Sequence, residues 1–235
     1  MSNSSRDRTQ SRKTRVLVVD DSRLMQELLT RLIETAPDLE VVGTAKDAAS
    51  AREMIKRLDP DVVTLDVIMP GMDGLAFLEK LMTLRPTPVI MVSALTEAGS
   101  EAALRALELG AFDFIGKPHF RPGESLEAYA EELAEKIRAA RNARLQRPRP
   151  RPSSPSAPLT RPPIAQIGTT EKILFIGAST GGTEAIKAVL LGMPAHCPPI
   201  LIVQHMPETF TGSFARRLDS LCAPRVIESK GNEKV

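Results

Sequence analysis

Residues 61–78 read DVVTLDVIMPGMDGLAFL. A mostly apolar run, 62–65, stops on a carboxylate, Asp66, and passes through Pro70-Gly71 into a helix-length segment. A short, largely apolar run bounded by turn residues is the pattern of a strand buried on both faces. Four more strand-like, largely apolar runs lie on either side, at 16–19, 41–44, 89–92 and 112–115, the last holding one acid, Asp113. The segments between them carry apolar residues three and four apart: Leu24, Leu28, Leu32 and Ile33; Leu104, Leu107 and Leu109; Leu133, Ile137 and Ala140. Five such strands alternating with five helices predict an α/β fold with one parallel sheet covered on both sides and right-handed crossovers.

The whole chain has 235 residues, of which 42% are apolar and 26% charged. That composition excludes a largely disordered protein. No apolar run approaches the roughly 20 residues that span a bilayer, so no membrane insertion is expected. Residues 1–13 are polar and basic, which predicts a disordered arm rather than a secretory signal. Two cysteines, Cys197 and Cys222, cannot build a disulfide scaffold, and a cytoplasmic location is expected. The net charge of +2, the absence of Trp and the single Tyr argue against a nucleic-acid partner. Arginines at 138, 141, 144, 147, 149 and 151 read as a solvated helix end and linker.

A compositional boundary follows the fifth helix. Residues 147–163 read RPRPRPSSPSAPLTRPP and hold seven of the 19 prolines. Proline fixes φ and removes donors, so 147–167 is expected to be a stiff linker between a unit at 14–146 and a second at 168–235. The second unit repeats the α/β pattern: strands at 173–177 and 200–204, helices at 183–191 and 213–221, and a third strand at 226–227. It reads as the start of a doubly wound parallel domain. A sheet of three strands would leave apolar faces uncovered, and a domain of this size is marginal.

The strand ends carry the chemistry. Asp20 and Asp21 follow the first strand, Asp66 the third, Ser93 the fourth and Lys117 the fifth. Open parallel sheets bind ligands at that edge. Carboxylates gathered there repel, and a hard divalent cation such as Mg²⁺ relieves the repulsion. The set suits phosphoryl transfer to Asp66, with the cation, Ser93 and Lys117 neutralising phosphoryl oxygens. Each piece has a plainer reading. Asp20 and Asp21 can cap a helix with Ser22, and Asp66 can serve the Pro-Gly turn.

The strings VLVVDDS (16–22), DVVTLDVIMPGMDGLAFL (61–78), VIMVSAL (89–95) and GAFDFIGKP (110–118) resemble the receiver domain of two-component response regulators. The resemblance implies a flavodoxin-like fold with Asp66 as phospho-acceptor. It also implies Mg²⁺ held by Asp20, Asp21, Asp66 and the carbonyl of Ile68, and phosphoryl contacts from Ser93 and Lys117. It further implies a cis Lys117–Pro118 bond, and Phe114 at the aromatic switch position, where plain core packing is an equal reading.

In the second unit, GAST followed by Gly181 is a G-x-S-x-G string that leaves a strand for a helix. A serine on that turn is exposed at the sheet edge, and the helix N-terminus offers N–H donors to an oxyanion. The next strand ends at His205, where a general base belongs. Such turns also bind phosphate, and a histidine at a strand end is also an ordinary loop residue. His196 beside Cys197 lacks metal-ligand spacing, so no cofactor is expected here.

GASTGGTEAI (177–186) and QHMPETFTGSFARRL (204–218) resemble the catalytic domain of chemotaxis protein-glutamate methylesterases. That family joins a receiver to an esterase through a variable linker. The resemblance implies hydrolysis of glutamate methyl esters on methyl-accepting chemoreceptors, with deamidation of receptor glutamines as a second activity. Ser179 is then the nucleophile, His205 its base and Thr180 part of the signature. A chemotaxis histidine kinase is the implied phosphodonor, and phosphorylation relieves occlusion of the esterase by the receiver. The family's triad ends in an Asp within a longer domain. Here Glu208, Asp219, Glu228 and Glu233 follow His205, and none has that context. The chain is expected to be a monomeric, phosphorylation-regulated esterase. The alternative is a phospho-accepting module, a phosphate sink or docking switch, carrying an inert esterase fragment.

Overall fold

A computed structural model describes residues 12–69, 73–94, 96–118, 125–143, 172–231 and 233. The proline-rich linker and almost all of the N-terminal arm lie outside the described residues. The first unit alternates β1 (Thr14–Val19), α1 (Arg23–Glu34), β2 (Leu39–Ala45), α2 (Ala48–Leu58), β3 (Val62–Asp66), α3 (Gly74–Leu84), β4 (Val89–Ser93), α4 (Glu97–Glu108), β5 (Asp113–Gly116) and α5 (Leu126–Asn142). All strand pairings are parallel, in the order β2-β1-β3-β4-β5.

The continuous apolar runs now have their cause. On β1, Leu17 and Val19 face α2, α3 and α4, while Val16 and Val18 face α1 and α5; all four are buried. Because both faces are covered, neither face of the strand can be polar. The helices start where short polar side chains meet orphan N–H groups. Ser22 accepts from the Met25 N–H, Asp47 forms a capping box with Ser50, and Ser125 accepts from the Ala128 N–H.

The second unit contains β6 (Leu174–Ala178), α6 (Gly182–Leu191), β7 (Ile200–Gln204) and α7 (Glu208–Leu221), with β6 and β7 paired in parallel. Ile176, Ala178, Ile200 and Ile202 face inward, while Phe175 and Val203 stand outward at 75% and 74% exposure. Its buried residues Ile186, Leu190, Phe210, Phe214 and Leu218 belong to the same apolar cluster as α4 of the first unit. The Phe114 and Phe210 rings stack across the junction, centroids 4.6 Å apart and 8° from parallel. No helix among the described residues is long and apolar enough to cross a membrane.

Four expectations change. Residues 226–227 form no strand: Val226 donates its N–H to the Asp219 carboxylate (2.9 Å), which folds the segment back onto the end of α7. Helix α7 starts at Glu208, five residues early, behind Pro207 as N-cap. On α1 the buried face is Leu29, Leu32 and Ile33 with Met25 against it, and Leu24 is 77% exposed. Packing of Met25, Leu29 and Ile33 into the cluster shared with β1 and α5 goes with that rotation. Finally, there is no cis peptide bond among the described residues, Lys117–Pro118 included.

Candidate functional site

The carboxyl ends of β1, β3, β4 and β5 form one edge, and the five residues expected there arrive together. Asp20 is fully buried, Asp66 is 3% exposed and Asp21 faces solvent. One ligand oxygen from each of the three lies within 4.8 Å of the others. Lys117 Nζ sits 2.9 Å from Asp20 Oδ2 and 2.8 Å from Asp66 Oδ2. The second oxygens are also engaged: Asp20 Oδ1 accepts from the Ser22 N–H (2.9 Å) and Asp66 Oδ1 from the Ile68 N–H (3.3 Å). Ser22 is the cap of α1, and Asp20 holds the Ser22 N–H while its other oxygen belongs to the pocket.

Burial raises the Asp66 carboxyl above the ordinary range, against the opposing pull of the Lys117 hydrogen bond and charge, and Asp20 adds to the rise. Burial would lower the Lys117 ammonium, but the Asp66 and Asp20 carboxylates more than offset it, and the net direction is upward. Three carboxylates on one ammonium leave the pocket with excess negative charge. That donor set fits a hard, oxygen-seeking divalent cation. Ile68 keeps its side chain outside, at 67% exposure. Ser93 differs from expectation. It is at the strand end, but its hydroxyl donates to the Gly99 carbonyl (3.0 Å) at the start of α4, so it must rotate to meet a phosphoryl oxygen.

In the second unit, β6 and β7 end side by side, Ala178 opposite Gln204. Their next residues are Ser179 and His205, both exposed, with Ser179 Oγ 3.5 Å from His205 Nδ1. Thr180 and Gly181 make the turn into α6, and Gly181, at φ 72°, adopts the left-handed conformation that other residues resist. The contact is long for a hydrogen bond, as pairs of this kind are before substrate tightens them. Among the carboxylates after His205, Asp219 accepts from Val226, Glu228 from the Thr211 hydroxyl and Glu233 from Ser229 and Lys230.

Sequence reading missed two residues that link the sites. Asp113 opens β5 and is 3% exposed; Lys136 on α5 is 4% exposed, with its Nζ 3.0 Å from Asp113 Oδ2. The same oxygen accepts the Gly181 N–H at 3.1 Å, and Oδ1 accepts the Phe114 N–H at 2.8 Å. A first-unit carboxylate is thus seated at the N-terminus of α6, two residues from Ser179. The signal was a lone acid inside an apolar run, AFDFIG. Breaking one partner of a buried ion pair costs about 3–5 kcal/mol. Because two N–H groups still hold Asp113, Lys136→Met should fall near the lower end, read as a lower urea midpoint. Adding Asp113→Asn should recover most of the loss. A single variant as stable as the parent would mean that the pair is not buried in solution.

The model for the response regulator receiver domain matches residues 16–129, and that for CheB methylesterase matches 174–235. A protein-glutamate methylesterase/protein-glutamine glutaminase 1 of Dechloromonas aromatica is 69% identical over 224 residues, which are 95% of this chain and 64% of that protein. A protein of the same activity name from Nitrosomonas europaea is 57% identical, over 95% of this chain and 63% of its own. The chain thus spans somewhat under two thirds of the length of these relatives. The crystal structure of the response regulator domain of Thermotoga maritima CheB is 47% identical, with a TM-score of 0.51, covering 57% of this chain and 99% of that one.

Proposed function

The chain belongs to the response-regulator protein-glutamate methylesterases, and from that membership we propose that it is a phosphorylation-gated esterase acting in the cytoplasm on methylated chemoreceptors. The observation that carries the reading is the 3.5 Å approach of Ser179 Oγ to His205 Nδ1 at the ends of neighbouring parallel strands. His205 takes the Ser179 proton as Oγ attacks the ester carbonyl carbon. Once the Gly181 N–H is released from the Asp113 carboxylate, the oxyanion forms beside the N–H groups of the Thr180–Gly181 turn. His205 returns the proton to the leaving methoxide, and methanol departs. Water, deprotonated by His205, then hydrolyses the acyl-serine and releases glutamate. With a glutamine side chain the leaving group is ammonia and the product is the same.

Asp66 accepts the phosphoryl group from a histidine kinase. Asp20, Asp21, Asp66 and the Ile68 carbonyl would hold Mg²⁺, which would supply positive charge to the phosphoryl oxygens; Lys117 adds its ammonium charge and a rotated Ser93 a hydrogen bond. Gating has a physical route. Asp113, Phe114 and α4 of the receiver contact Gly181 and α7, and Glu108 on α4 pairs with Arg217 on α7. In this arrangement the receiver sits against the nucleophile turn. Phosphorylation at the ends of β1 and β3 favours an arrangement in which that contact is released.

The test is methanol release from methylated chemoreceptor, with and without a small-molecule phosphodonor. Release that rises with the phosphodonor supports the proposal. A chain that is phosphorylated yet releases no methanol is instead a receiver module.

A further inference from the structure

The parallel ladder between β6 and β7 ends where the His205 N–H donates to the Ala178 carbonyl at 2.9 Å. Beyond that bond the strands part. Ser179 turns toward α6 and His205 toward α7, and their carbonyls lie past the last ladder donor. The side-chain amide of Gln204 takes over there. Its Nε2 donates to the Ser179 carbonyl at 2.9 Å and to the His205 carbonyl at 3.1 Å. Both amide hydrogens are used. The orientation of the amide is fixed by its partners, because the reverse would set Oε1 against two carbonyl oxygens. Gln204 therefore extends the ladder by one cross-link, between the two peptide units that carry Ser179 and His205.

A second observation concerns what this placement gives up. Gln204 Oε1 is buried and has no hydrogen-bond partner among the described residues. A Cβ on residue 182 would stand 2.0 Å from Oε1 and 2.9 Å from Cδ, so the amide occupies the space a side chain at Gly182 would need. A buried unpaired acceptor weakens a fold. The buried Oε1 is thus not placed by a bond of its own, and the missing Cβ at Gly182 leaves the room the amide fills.

We propose that Gln204 is a positioning residue for the Ser179–His205 pair, setting the separation at which Oγ meets Nδ1. The proposal rests on Ser179 as nucleophile and His205 as its base. The pair already stands at the long end of hydrogen-bond range, so it has little slack. A misplacement of about 1 Å costs roughly 10²-fold in rate.

Labelling of Ser179 in the full chain by a fluorophosphonate tests this, because it reads the hydroxyl and its base without a receptor. Gln204→Leu should label about 10²-fold more slowly at saturating probe, with the half-saturating concentration unchanged. Gln204→Glu is nearest in shape, but its carboxylate has no proton for the two carbonyls, and it should label as slowly as Gln204→Leu. A packing role alone predicts the opposite order, with Gln204→Glu close to the parent. That order, or near-parental labelling of Gln204→Leu, overturns the proposal. Circular dichroism and phosphorylation at Asp66 check that each variant is folded. The ring ¹⁵N signals of His205 give an independent reading: one tautomer in the parent and a mixture in Gln204→Leu support the proposal, and identical signals overturn it. If the parent is not labelled at Ser179, the nucleophile assignment fails, and the ¹⁵N signals alone then decide the role of Gln204.

Discussion

Replacing Asp66 by Asn is expected to abolish acid-labile phosphorylation of the chain by a small-molecule phosphodonor with Mg²⁺. The carboxylate oxygen is the nucleophile in the proposed transfer, and a neutral amide has no comparable lone pair to attack phosphorus. The substitution keeps the shape of the side chain. Burial opposes the Asp66 charge, so removing that charge should not weaken the fold, and Lys117 retains Asp20 as a partner. A thermal melt should place the Asn variant at or above the parent. Loss of labelling in a folded protein then reports chemistry rather than collapse. Asp20 and Asp21 remain in the variant, so undiminished labelling would mean that one of them, or a residue elsewhere, is the acceptor.

Ser179→Ala is expected to remove methanol release, and the size of the loss is informative. Where nucleophile and base act as a unit, deleting either costs on the order of 10⁶ in kcat. An orienting acid on the base is worth about 10⁴ of that. Where no carboxylate orients His205, the parent starts from the lower rate, and the loss on Ser179→Ala shrinks to about 10²-fold. His205→Asn should show the same factor, and the double variant no further loss. A Ser179→Ala variant that keeps the full rate would remove the turn from the chemistry altogether. A loss near 10⁶ would mean that some other group orients the imidazole.

Much of the fold could be read from the sequence because burial on two faces leaves so little freedom. The five first-unit strands fall within two residues of the apolar runs at either end, and β7 coincides with its run. The strand-end residues could be read for the same reason, since a polar residue directly after a buried run must lie at the sheet edge. What escaped depends on contacts between distant segments. The rotation of α1 follows from which of its side chains pack against β1 and α5, and Leu24 looked inward only because its spacing was helical. Residues 226–227 looked like a strand, yet a single bond to Asp219 turns them aside. Asp113, Lys136 and Gln204 work through backbone groups or through partners far along the chain, and periodicity carries no record of such partners. Gln26 is a similar case: its amide donates to the Asp20 carbonyl at 2.6 Å and tethers the acidic pocket to α1.

The Asp113–Gly181 bond and the Phe114–Phe210 stack have a consequence that runs from the esterase back to the receiver. Linkage between two binding events is reciprocal. If a phosphoryl group on Asp66 loosens this junction by some factor, then whatever draws the nucleophile turn away from β5 favours the phosphorylated receiver by the same factor. A methylated receptor side chain seated at Ser179 needs the turn free of that contact. On the proposed reading the substrate is therefore an effector of the receiver. On that reading, a receptor array rich in methyl esters would favour the phosphorylated form of the receiver, and one already stripped of them would not.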